Sequence, residues 1–195
     1  SDNLIRRLAD LLQDEYIKGG RSLDDISKLA FVFGGKRPGL FLKKELFARV
    51  KAPFFSPKFF SIDEFVDYTL VSAASYSRIN DLEACFLMYT LVKKHTPDIL
   101  RRREGFAEFL PCAREILKFI DQLDLEDISS DKIESIQLNA QIGYDVPKDI
   151  NQMLAHIILL RGAYHEELVK RGALSRGLAY LTASRIEKPA LDNFD

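Results

Sequence analysis

The stretch that most constrains this chain is Leu29–Val50, LAFVFGGKRPGLFLKKELFARV. A short run of strand-forming residues, Leu29 to Phe33, meets Gly34-Gly35-Lys36-Arg37-Pro38-Gly39, after which a helix is expected. Leu40, Phe41, Leu42, Leu46, Phe47 and Val50 give that helix a broad apolar face, and Lys43, Lys44 and Arg49 occupy the other. A strand, a glycine turn and a helix N-terminus make an anion cradle in α/β proteins, because backbone N–H groups converge at the positive end of the helix dipole. The cradle is not a nucleotide-hydrolysis loop. Gly34 and Gly39 have the glycine spacing of the phosphate-binding pattern GxxxxGK[ST], but Leu40 and Phe41 stand where Lys and Ser/Thr are needed. Two apolar side chains can neither neutralise phosphate nor hold magnesium.

The neighbouring residues extend the same grammar. Pro53 and Pro57 bracket an extended link, Lys58-Phe59-Phe60 reads as a second strand, and Ser61-Ile62-Asp63-Glu64 matches the capping box that opens a helix. Strand–helix–strand–helix order is that of a parallel sheet, although two strands alone do not make an independent one. Upstream, Asn3 is expected to cap a helix carrying Leu4, Ile5, Leu8, Leu11, Leu12 and Tyr16 on one face, which ends at Gly19-Gly20. Ser22 to Asp25 starts a short helical turn.

From about Ser72 strand signals stop and helices follow. They are expected over Asp81–His95 behind an Asn80 cap, over Gly105–Leu123 with Pro111 as a kink or break, and, more weakly, over Asp131–Gln141. A long helix from Ile150 to Arg171 ends at Gly172, and a last one covers Ser175–Ile186. The expected organisation is an α/β unit over residues 1–72 and a helical subdomain over 73–195, predominantly helical overall.

Composition excludes several functions. The 195 residues carry a net charge of −1 and are 47% hydrophobic, in the range of globular proteins and far from a uniformly basic nucleic-acid coat. No apolar run approaches the roughly 20 residues of a membrane helix. Cys85 and Cys112 lie in apolar helical patterns without a CxxC partner, as free thiols in a reducing compartment do. His156 and His165 are nine apart on one helix, which does not give the i, i+4 edge of a metal site, and no nucleophilic triad is spaced for catalysis. No cofactor is expected. Charge is local: residues 34–51 hold six cations, Lys36, Arg37, Lys43, Lys44, Arg49 and Lys51, against one acid, Glu45. That excess suits a phosphate backbone, or it is simply a solvated helix face. Arg101-Arg102-Arg103 is a second basic run, readable as a patch or as an exposed loop. Phe54, Phe55, Phe59 and Phe60 can stack on bases or fill a core.

Phe31 to Lys44, FVFGGKRPGLFLKK, resembles a segment near the start of AddB-like proteins, an inactivated superfamily I helicase group carrying a PD-(D/E)XK exonuclease at its C-terminus. Leu4–Tyr16, Pro57–Phe65, Leu168–Gly172 and Gly177–Tyr180 are similar to further segments of that family in the same order, so the likeness spans nearly the whole chain. Gly35 and Pro38 depart from it, where the family commonly has Asn and Ala. The resemblance implies that this chain is an N-terminal fragment. Residues to about 72 would be part of a RecA-like helicase lobe (1A-like), and the helical remainder an inserted subdomain (1B-like). It implies a cytoplasmic, non-catalytic region that binds DNA, single-stranded or at broken duplex ends, beside an AddA-like helicase subunit in double-strand break processing, the nuclease residues lying far downstream. Gly34–Gly39 would then belong to the strand–loop after the nucleotide site. Lys36 and Arg37 match the family's basic pair, with Lys43 and Lys44 as further DNA-contact candidates. A self-contained helical protein-interaction module is the alternative from a different class.

Overall fold

The structure is a computed structural model that describes residues 2–20, 22–50, 52–73, 76–101, 103–135, 148–186 and 194. The chain divides into two compact units, one formed by residues 1–73 with 187–195 and the other by residues 74–186. Each is built on its own core.

In the first unit, α1 (Asp2–Leu12) runs on into a π-helical turn, Gln13–Lys18, and a 3-10 turn, Leu23–Lys28, leads to β1 (Ala30–Phe33). Helix α2 (Lys36–Arg49), β2 (Lys58–Ser61) and α3 (Ile62–Ala73) follow. The two strands pair in parallel, Ala30 opposite Lys58 and Phe33 opposite Ser61. Ile5, Ala9, Leu12 and Tyr16 recur at helical spacing and meet Ile26, Leu42 and Leu46 in one cluster, with Phe31, Phe33, Phe54 and Phe59 packed against it.

Several local expectations change. Helix α1 already includes Asp2, so Asn3 lies inside it rather than capping it. Leu4 and Leu11 are exposed, because the buried stripe turns through Ile5, Ala9 and Leu12 instead. The glycine turn is only Gly34-Gly35: Lys36, Arg37, Pro38 and Gly39 form the first turn of α2. Proline is tolerated there because the first-turn N–H groups have no intrahelical acceptor. On α2, Leu42 and Leu46 are buried and Val50 just beyond it is too, whereas Leu40, Phe41 and Phe47 face solvent. A helix packed along one side cannot bury apolar residues placed round more than half its circumference. The capping box forms as read: the Ser61 hydroxyl accepts from the Glu64 N–H at 3.3 Å, and the Glu64 carboxylate accepts from the Ser61 N–H at 2.9 Å.

The second unit opens with β3 (Ser77–Arg78) and α4 (Asp81–His95), then a 3-10 turn, Pro97–Leu100, and α5 (Phe106–Leu125). Residues 130–135 are helical (α6). Then come α7 (Lys148–Lys170), β4 (Ala173–Leu174) and α8 (Arg176–Ser184). Asn80 and Ser175 cap α4 and α8 through their side chains, and Gly172, at φ +61°, follows the end of α7. Pro111 neither splits nor ends α5, whose buried residues Phe109, Ala113, Ile116 and Ile120 continue across it. The expected helix over 131–141 is seen to residue 135, and its remainder lies outside the described residues.

Strand structure does not stop at Ser72. β3 pairs in parallel with β4, Ser77 opposite Ala173 and Arg78 opposite Leu174. Two-residue strands are too short to show a period of two, so the sequence carries no signal for them. The chain is thus mostly helical, with two small parallel sheets.

Candidate nucleic-acid interface

Parallel pairing of β1 and β2 puts their C-terminal ends, Phe33 and Ser61, at the same edge of the sheet, and α2 and α3 both start there. Ligands of open α/β sheets bind at this edge. A cavity of about 320 Å³ lies between the two helix starts, lined by Phe33, Gly35, Lys36, Lys43, Ser61 and Glu64 among others. Helix α2 has no side-chain cap and no acid in its first turn, so the free N–H groups at its start favour negative charge.

The four cations proposed from sequence fall into two rows. Lys36 and Lys43, seven residues apart, both line the cavity. Arg37 and Lys44, also seven apart, are exposed on the next row, about 10 Å from each other along the axis at 1.5 Å per residue. Lys36 is engaged: its Nζ lies 2.7 Å from Glu64 Oε1. The ammonium, together with the N–H and hydroxyl of Ser61, holds the Glu64 carboxyl at about 2, and Glu64 in turn raises Lys36 above its usual value. Arg37, Lys43 and Lys44 make no ion pair among the described residues. Of the other cations in the stretch, Arg49 is committed to Asp10 and Glu45, and Lys51 lies outside the described residues. Among the described residues the cations of this stretch therefore reduce to three free side chains and one that a competing anion would have to take from Glu64.

Gly39 has a packing role. A Cβ there would come within 3.3 Å of the Phe59 Cβ, so glycine lets α2 lie close on β2. Phe59 stacks on Phe31, Phe54 meets Phe47, and Phe60 contacts Phe65 and Tyr68; only Phe55 of the four candidate stacking rings is largely exposed.

One polar cluster joins residues that lie far apart in the sequence. Asp124, fully buried at the end of α5, accepts from Arg161 Nε at 2.8 Å and lies 2.9 Å from His165 Nε2. Arg161 also donates to the carbonyl of Ile128. The available signal was local: Asp124 follows Ile116 and Ile120 on one stripe, and Arg161 and His165 are i, i+4 on α7. The cluster ties α7 to α5. His156 is instead 3.7 Å from Asp98, so the two histidines of α7 serve different carboxylates. Among the described residues no group of three or more His, Cys, Asp or Glu could hold a metal, and no helix is long and apolar enough to cross a membrane. Cys85 is buried, which raises its thiol; Cys112 is only half-buried, and both are free.

No family model, curated protein or solved structure matches this chain.

Proposed function

We propose that this chain is the N-terminal helicase-like region of an AddB-type DNA-processing subunit, in which the first unit is part of an inactivated RecA-like lobe and the second its helical insertion. Its role is to hold DNA, single-stranded or at a broken duplex end, and to serve as scaffold for an AddA-like partner without hydrolysing ATP itself. The observation that supports this best is the row formed by Arg37 and Lys44, exposed and without an ion pair among the described residues, beside the uncapped start of α2 at the C-terminal edge of a parallel strand pair. Each phosphate neutralised releases counterions, so binding by this row falls with salt, by about 0.7 in log–log slope per contact on a single strand. The test is a salt titration of single-stranded DNA binding. Arg37→Ala with Lys44→Ala lowers affinity and flattens the slope; an unchanged slope rejects the contact.

A protein-interaction role without DNA is the second reading, favoured by Leu40, Phe41 and Phe47, which α2 leaves more than half exposed. Under that reading the cations are solubilising neighbours of an apolar docking face, and DNA binding is absent at all salt concentrations.

A further inference from the structure

The second unit holds a cavity of about 400 Å³ that a DNA contact on α2 leaves unused. It lies between the 3-10 turn after α4, α5 and the first half of α7. Ile99, Ile116 and Ile157 give it an apolar lining, the latter two buried, and on α7 the lining continues to Ile150 and Met153, which are 44% and 55% exposed. Arg101 and Arg103 line the same cavity, and neither side chain has an ion pair or hydrogen bond among the described residues. Among the described residues Asp98 is the one acid in the lining, and it is engaged by Gln152 at 3.2 Å and by His156 at 3.7 Å. Two uncommitted cations thus adjoin an apolar hollow in which no described residue offers a free carboxylate. Arg101 also sits at φ 43°, ψ 57°, a left-handed conformation that disfavours any residue with a Cβ. Strain of this kind persists where the surroundings enforce it and concentrates at ligand sites. The size and the mostly apolar lining with a few polar groups are those of a small-molecule pocket.

We propose that this cavity binds a small amphiphilic anion, its apolar body against Ile116, Ile157 and Met153 and its negative head on Arg101 and Arg103. The site shares no residue with the α2 interface and stands or falls independently of it. The test uses the full chain and calorimetric titration with decanoate, with decylammonium as the control of equal length and opposite charge. Decanoate binds saturably at one site per chain and decylammonium does not. Arg101→Glu with Arg103→Glu weakens decanoate at least tenfold. Arg101→Gly also weakens it while the melting temperature holds or rises, because glycine accepts the left-handed conformation; that separates loss of the head-group contact from loss of fold. No saturable binding of decanoate, equal binding of decylammonium, or unchanged affinity in the charge-reversed variant overturns the proposal.

Discussion

Glu64 accepts from three donors at once: the Lys36 ammonium, the Ser61 N–H and the Ser61 hydroxyl. These hold its carboxyl at about 2, below the ordinary 4.5. Because the folded value is depressed, the stability it contributes is complete above pH 4.5 and is lost as the pH falls through about 2. Melting temperatures measured between pH 5 and 2 should fall in the parent chain and fall less steeply in Glu64→Gln. Glutamine still serves the capping box, so that variant also frees Lys36 without undoing the start of α3. Asp124 calls for a different argument, since both it and Arg161 are buried. Asp124→Ala strands the guanidinium and should cost about 3–5 kcal/mol in urea unfolding, whereas Asp124→Leu combined with Arg161→Met should recover most of the loss. The contrast between the two groups explains what a sequence discloses at this scale. Ser61 and Glu64 are three residues apart and their reciprocal bonds are readable in the order of letters. Asp124 and Arg161 are 37 apart, and nothing near either names the other.

Elements were legible where their boundaries are chemical. Asn80, Ser175 and Ser61 announce helix starts through side chains that reach their own backbone, and Gly172 marks a stop through its positive φ. What could not be read is how closely elements approach. Gly177, in the first turn of α8, would place a Cβ 2.8 Å from the Asp121 carbonyl oxygen and 2.8 Å from the Asp124 Cβ. Gly162, inside α7, has nothing within 4 Å of the same position. Gly177→Ala should therefore destabilise by about 1–3 kcal/mol as α8 is forced off α5, while Gly162→Ala should stabilise by about 0.5–1 kcal/mol through helix propensity alone. Chemical denaturation of the two variants gives opposite signs. On sequence both are simply glycines in helical patterns. The same limit applies to α2: its apolar residues announce a helix, but Leu42 and Leu46 are buried and Leu40 and Phe41 are not, a choice made by neighbours.

At the scale of the whole molecule, strand–helix order and the later helices convey a mostly helical chain with a parallel strand pair, while the β3–β4 ladder is too short to leave a trace in the pattern. The second unit has its own buried residues from Ala84 to Leu181, so residues 74–186 expressed alone should unfold as one cooperative transition in calorimetry. The AddB-type reading makes a separate demand on the gene: the reading frame should continue for several hundred residues and end in a PD-(D/E)XK pattern, which sequencing past the codon for Asp195 checks. The proposed DNA contact rests on where free cations stand. Sequence supplied Lys36, Arg37, Lys43 and Lys44 as equals, and only the fold separates Lys36, held by Glu64, from the other three. The most direct measurement is the salt dependence of single-stranded DNA binding by the parent chain, Arg37→Ala with Lys44→Ala, and Glu64→Gln. The slope should fall in the double variant, by about 0.7 per lost contact, and rise in Glu64→Gln as Lys36 is released. No binding by the parent chain, or one slope shared by all three, would contradict it.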